Sequence, residues 1–271
     1  MKNSYIKTLK IFIGSLTFLF SIYLFFYLRY KDKIFILVYH RIDNYQGGLK
    51  SLYVKPKIFE KQMKFLFSRG YKTTTLSEFK NALQRNDKKF LKKRFCITFD
   101  DGYEDLLNAY PILKKYDYKA TVYVHTKAVQ DGFYTYPHMV SAKMISVDQL
   151  KSIMDVFEVG SHTTSHPDLS KCSDDEIVKE LKESKDFLES NLKIEVKHFC
   201  YPFGKVFSNY EEILKKEGFE TAVTLNNGLL DLNKNIDFYS LSRVEWKEFS
   251  SMSFKDFLKN SEFYLKIFFG I

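Results

Sequence analysis

From Ile34 onward, short apolar runs alternate with amphipathic segments, and no other feature of the chain restricts its fold as tightly. Continuous apolar runs, as opposed to strictly alternating ones, suit strands covered on both faces, the condition of a parallel sheet flanked by helices. The strand candidates are Ile34 to Tyr39, Tyr71 to Thr74, Arg94 to Phe99, Ala120 to Val124, Phe157 to Gly160, His198 to Tyr201, Thr221 to Leu225 and Ser240 to Val244. Helix signals fall between them. Ser173 with Glu176, and Ser208 with Glu211, have the spacing of a capping box, in which hydroxyl and carboxylate each satisfy an orphan backbone N–H. Gly70 and Gly218 suit the left-handed residue that ends a helix. Leu106, Leu107, Ala109, Tyr110 and Leu113 form an apolar helix that Pro111 should kink or end. This rhythm predicts an α/β fold, a distorted (β/α) barrel of about seven or eight strands within residues 31–271.

Ahead of the barrel, Ile11 to Leu28 is an uncharged run of 18 residues, long enough to cross a bilayer core as a helix. Lys2, Lys7 and Lys10 precede it and no small-x-small cleavage site follows, so residues 1–30 read as an uncleaved signal-anchor holding the chain in a membrane. Arg29, Lys31 and Lys33 nearly balance the basic residues on the near side, and the positive-inside rule leaves orientation open. The net charge of +9 attracts polyanions in general, and its densest stretch, Arg85 to Arg94, lies between a helical pattern and a strand. No recognition motif accompanies it, so nucleic acid is not an expected partner. Cys96, Cys172 and Cys200 show no C-x-x-C spacing, which argues against a zinc ribbon or disulfide framework. Cys96 and Cys200 read as small buried hydrophobes in strands.

Two segments carry chemistry. Thr98-Phe99-Asp100-Asp101-Gly102-Tyr103 ends an apolar strand with adjacent carboxylates, whose repulsion is costly unless a cation or proton relieves it. The same triplet is also ordinary turn chemistry. His162 and His166, in Ser161-His162-Thr163-Thr164-Ser165-His166-Pro167, again follow a strand, and two histidines four apart either converge on a metal or cap a turn. A parallel barrel gathers its strand C-termini at one mouth, which favours a joint site. Two His and one Asp leave positions open on a metal, as in catalytic centres.

These motifs resemble those of the polysaccharide deacetylases with a NodB-homology domain, carbohydrate esterase family 4, over roughly residues 34–246. The resemblance implies Asp100 as general base and Asp101, His162 and His166 as ligands of a divalent metal, zinc foremost, with nickel, cobalt or iron as alternatives. Tyr201-Pro202-Phe203-Gly204 is similar to the segment that walls the groove, and a backbone N–H near Tyr103 would receive the oxyanion. The family often has an arginine where this chain has Cys200; Leu241-Ser242-Arg243-Val244 resembles a branch in which Arg243 would orient the base, its alternative being a structural ion pair. The usual late Leu-x-His is missing, and Leu37-Val38-Tyr39-His40-Arg41 resembles the poly-N-acetylglucosamine deacetylase branch, which implies His40 as general acid. His125 competes for that role, while His138 and His198 read as structural. Trp246 is a candidate for sugar stacking or for the acetyl pocket, and equally for the core. The implied function is removal of acetyl groups from N-acetylated amino sugars of an envelope or extracellular polysaccharide, with the domain outside the cytoplasm. The alternatives are an O-deacetylase and a non-catalytic glycan-binding protein.

Overall fold

The computed structural model describes residues 2–135, 140–247 and 258–271, with side-chain surroundings from residue 15 onward. Eight parallel strands, each beginning or lying within one of the apolar runs, make up the central sheet: β1 (Ile36–Tyr39), β2 (Lys72–Thr73), β3 (Arg94–Phe99), β4 (Ala120–Val124), β5 (Phe157–Ser161), β6 (His198–Cys200), β7 (Thr221–Asn227) and β8 (Leu241–Glu245). Their order is β1-β8-β7-β6-β5-β4-β3-β2, and a further pairing of β1 with β3 closes seven of them into a barrel. The eighth, β2, pairs only with Arg94 and Phe95 at the start of β3, and the Thr73 hydroxyl accepts from the Lys119 N–H just ahead of β4. It is therefore a wedge between β3 and β4 at the base.

Alternation along each strand sorts side chains into two layers. Phe35, Leu37, Tyr39, Ile97, Phe99, Val122, Val124 and Phe199 belong to the larger core, shared with the surrounding helices. Ile36, Cys96, Tyr123, Cys200, Val223 and Leu241 form the smaller one inside the barrel. Gly160 admits Tyr123 to that interior, since a Cβ there would lie 2.7 Å from the Tyr123 ring and from the His198 carbonyl. The helices are α1 (Lys2–Tyr30), α2 (Pro56–Ser68), α3 (Leu76–Gln84), α4 (Lys88–Leu91), α5 (Leu106–Lys115), α6 (Thr126–Asp131), α7 (Val147–Ile153), α8 (Asp174–Leu192), α9 (Tyr210–Lys216) and α10 (Ser261–Phe269). Leu76 and Phe79 of α3 pack with the interior set and Ser77 bonds Glu158 and His198, so α3 plugs the mouth at which the strands begin.

Several local expectations met a different outcome. The capping box at Ser173 and Glu176 is present, and Gly70 and Gly218 have positive φ. Ser208 and Glu211 form no such box: Asn209, in a left-handed conformation, is the N-cap of α9 and makes no side-chain cap. α5 runs through Pro111 without ending. α10 was not foreseen; it packs on α1, with Phe269 stacked on Phe26 at 4.7 Å and Lys266 Nζ donating to the Tyr30 carbonyl at 2.8 Å. Among the described residues no helix is long and apolar enough to cross a membrane. Side chains 11–14 of the expected span lie outside the described residues, and over the rest α1 leaves Leu16, Phe18, Leu19, Phe20, Phe25 and Leu28 exposed.

Candidate active site

Strand register assembles the site. β1 and β3 pair Tyr39 with Phe99, so the next residues, His40 and Asp100, emerge side by side. β4 and β5 pair Val124 with Ser161, which does the same for His125 and His162. β6 brings Cys200, and β8, through an irregularity opposite β7, brings Arg243 into the interior. All lie at the C-terminal mouth, where parallel barrels carry their chemistry.

Asp101 Oδ1 stands 3.3 Å from His162 Nε2 and 3.6 Å from His166 Nε2, and the two nitrogens are 3.1 Å apart. His162 Nδ1 donates to the Cys200 carbonyl at 2.8 Å, which orients the ring and turns Nε2 toward Asp101 and His166. Bonds of zinc to nitrogen and oxygen, at tetrahedral angles, put ligand atoms about 3.3 Å apart. This buried donor set fits a divalent metal. A second cluster, Asp100, His162 and Cys200, also converges, but the Arg243 cation already serves it. Arg243 donates from Nη1 and Nη2 to both Asp100 oxygens at 2.6 and 2.7 Å, and its Nη2 lies 3.4 Å from Cys200 Sγ. Cys200 is thus buried as expected, yet it contacts the Asp100 clamp through sulfur and orients His162 through its carbonyl.

Electrostatics follows from these contacts. Burial pushes the Asp100 carboxyl upward, but Arg243 outweighs it, with His40 and His162 adding to the effect, and holds Asp100 below the ordinary carboxylate range. His166 is pushed down to about 3, by burial first and by His162 second, and so offers a neutral imidazole. His40, partly exposed, places Nε2 3.8 Å from Asp100. His125 is 2 % exposed, its pKa is lowered to about 4 chiefly by burial, and neither ring nitrogen has a hydrogen-bond partner among the described residues. A neutral imidazole without partners is the poorer proton donor of the two. His198 bonds Thr221 and Glu158 inside the barrel, a structural role; His138 lies outside the described residues.

The expected groove residues divide. Phe203 is exposed, with its ring 4.7 Å from that of His166, and Pro202 is buried beneath it. Gly204 is obligatory there, since a Cβ would fall 2.6 Å from the Leu225 N at a φ of +67°. Tyr201 departs from the expected wall position: it is fully buried against Phe199 and Phe207, its hydroxyl donating to the Tyr239 carbonyl. Tyr103 is buried beneath the Arg41 guanidinium, 4.8 Å from its ring centre. Trp246 packs edge-on against Phe65 and Phe263, and also borders a cavity of about 590 Å³ shared with His40, Tyr53 and Glu245.

Two supports were missed. Glu180 of α8 accepts from the N–H groups of Thr164 and Ser165, pinning the His162–His166 turn. Arg41 bonds Asp105 at 2.7 Å and lies over Tyr53 and Tyr103, tying the loops that carry His40 and Asp100. Arg41 adjoins a candidate histidine and Asp105 follows the candidate diad, a cue available in the sequence; Glu180 offers none.

Known proteins resemble this chain in sequence and in fold. The family model described as Polysaccharide deacetylase matches residues 87–222. The poly-beta-1,6-N-acetyl-D-glucosamine N-deacetylase of Staphylococcus aureus is 31% identical over 232 residues, covering 78% of this chain and 79% of its own. Among solved structures, the Streptococcus pyogenes deacetylase PplD in complex with acetate is 32% identical with a TM-score of 0.71, covering 84% of this chain and 97% of its own. BC0361, a polysaccharide deacetylase from Bacillus cereus, is 30% identical with a TM-score of 0.68, covering 85% and 68%. By fold, by the matched segment and by these relatives, the chain belongs to the polysaccharide deacetylase family with a NodB-type domain.

Proposed function

We propose that the chain is a divalent-metal-dependent N-deacetylase that releases acetate from the N-acetylglucosamine units of an envelope or extracellular polysaccharide. The observation that carries this reading is the convergence of Asp101, His162 and His166 beside an Asp100 held ionised by Arg243. Asp101, His162 and His166 would hold the ion, with zinc the proposed one on two imidazoles and a carboxylate. Bound there, it supplies Lewis acidity toward the acetamide carbonyl and toward water.

The chain's own residues do the rest. Asp100 accepts the proton of the attacking water, and the Arg243 clamp fixes its position while keeping it ionised at neutral pH. The Tyr103 backbone N–H receives the oxyanion of the tetrahedral intermediate. His40, beside Asp100 and bordering the open cavity, protonates the departing amine, without which the C–N bond breaks slowly. Phe203 and the cavity beside Trp246 form the sugar-contacting walls. The staphylococcal relative's name supports a β-1,6-linked polymer. The exposed apolar surface of α1 from Leu16 to Leu28 supports membrane attachment through residues 11–28; the domain's place outside the cytoplasm is proposed from the substrate class alone. The test is acetate release from β-1,6-linked N-acetylglucosamine oligomers and from acetylxylan, with metal content measured alongside. Stoichiometric metal and faster release from the amide are expected; faster release from acetylxylan would make the protein an O-deacetylase.

A further inference from the structure

At the end of the barrel opposite the site, the side beside β2 and β3 is basic. Lys72 opens β2, Arg94 opens β3, and Lys88, Lys89, Lys92 and Lys93 lie in and after α4 just ahead of it. Lys72, Lys89, Lys92 and Lys93 line one open groove of about 600 Å³ with Gly70 and Asp87. This end is also where α1 joins the domain. The chain leaves α1 at Tyr30 and enters β1 at its start, and the basic groove is stitched to that junction on two sides. Lys88 Nζ donates to Asn233, whose side-chain amide donates to Asp32. Lys93 Nζ donates to the Arg69 carbonyl, and the Arg69 guanidinium donates to the carbonyl of Phe268 on α10. Phe268 itself is 64% exposed, next to the apolar surface of α1.

An uncovered apolar helix rooted beside a lysine-lined groove has the composition of a bilayer edge: hydrocarbon contact beside headgroup contact. We propose that this basal groove docks on anionic phospholipid headgroups around α1, so that the barrel stands base-down and the active-site mouth faces away from the membrane. The proposal rests on the reading of α1 as a membrane anchor. β3, with its six residues, puts the two ends about 20 Å apart, enough to keep the mouth clear of the headgroups for a polymer. A soluble polyanion offers charge but gives no reason for the groove to be tied to the root of the apolar helix, which is why lipid is the assigned occupant.

Flotation of the full chain with vesicles at limiting lipid tests this. Wild type should float with phosphatidylcholine alone, through α1, and more strongly when phosphatidylglycerol is added. Each basic residue near the surface contributes roughly fivefold, so Lys72→Glu/Lys89→Glu/Lys92→Glu should remove the phosphatidylglycerol gain by about 100-fold and leave flotation on phosphatidylcholine unchanged. Lys89→Gln/Lys92→Gln should lose an intermediate amount, and both variants should keep wild-type melting and acetate release. About 1 M salt, with a screening length of about 3 Å, should erase the gain. A wild type that ignores phosphatidylglycerol, or a triple variant that retains the gain, overturns the docking face. So does displacement of the protein from these vesicles by soluble polyglycerol phosphate at equal phosphate. Failure to float on phosphatidylcholine overturns the anchor reading instead, and leaves the headgroup gain still measurable.

Discussion

Replacing Arg243 with methionine should destabilise the barrel by an amount that depends on pH in a defined direction. Arg243 has a side-chain exposure of 0% and Asp100 of 3%, and the two share a bidentate pair at 2.6 and 2.7 Å. Breaking a buried pair leaves an uncompensated charge, at a cost of about 3–5 kcal/mol. For a domain of this size that corresponds to a melting temperature lower by roughly 6–20 °C at pH 7. The pH dependence comes from Asp100. In the wild type its folded pKa lies below the unfolded value, so the pair's stabilisation is present above the unfolded pKa and is lost as pH falls through the folded one. In Arg243→Met, burial is opposed only by His40 and His162, so the folded pKa moves up past the unfolded value and the variant loses stability as pH rises through it. The gap between the two proteins should therefore be widest near neutrality and narrow toward about pH 3. Melting by circular dichroism, in chelator so that metal occupancy does not enter, measures it; adding Asp100→Asn to the Arg243→Met variant should recover most of the loss. A gap that is absent, or equally wide at both ends of the range, refutes the argument that Arg243 acts on Asp100.

Asp101→Ala, His162→Ala and His166→Ala should each lose bound metal and turnover, whereas Asp100→Asn should bind metal and turn over roughly 100-fold to 10,000-fold more slowly; stoichiometric metal in the ligand variants counts against the site. His40→Ala should keep metal and slow amide hydrolysis by a similar factor while sparing an activated aryl acetate, whose leaving group needs no proton; wild-type amide turnover with an inactive His125→Ala would move the role to His125. Arg41→Met should lower melting by a few degrees, because Asp105 loses its buried partner, and should reduce kcat more than raise KM; Arg41→Lys, which cannot lie flat between two rings, should restore stability only partly. Glu180→Gln should weaken metal affinity roughly tenfold by loosening the His162–His166 turn, read by competition with a chromogenic chelator.

How much of this was legible depended on whether each signal was local. Several barrel strands showed as continuous apolar runs because both of their faces are covered, which needs no partner to be known. The diad at Asp100 and the histidine pair were visible because strand ends and turn residues are written in neighbouring positions. What pairs across the barrel was not. Arg243 read equally as a structural ion pair or a site residue until ring closure put it inside, and Tyr201 pointed to the core because the strand's alternation places it on the outer layer with Phe199. The Ser208–Glu211 spacing matched a capping box by count alone; Asn209 took the N-cap with a left-handed backbone instead. α10 was obscured by the aromatic residues that dock it on α1, although Glu262 in its first turn and Gly270 at its end are standard punctuation.

Four of the nine non-glycine residues with positive φ among the described residues gather at the site. Asp101, Thr163, His166 and Phe203 all have φ between 57° and 73°, a region that costs a residue with a Cβ of order 1 kcal/mol or more. Two of the four are proposed metal ligands, one is the hinge of the turn between the histidines, and one is the aromatic wall above His166. Strain of this kind persists only where surrounding contacts over-determine it. Here they are the Asp101 carbonyl accepting from the His125 N–H, the Thr163 hydroxyl accepting from the His166 N–H, and Glu180 beneath the turn. Elsewhere the same backbone region is taken at plain connections, by Lys93, Lys193 and Asn209 and by Gly70, Gly132 and Gly218. What sets the four site positions apart is that their side chains, which a glycine would forfeit, gather around one point.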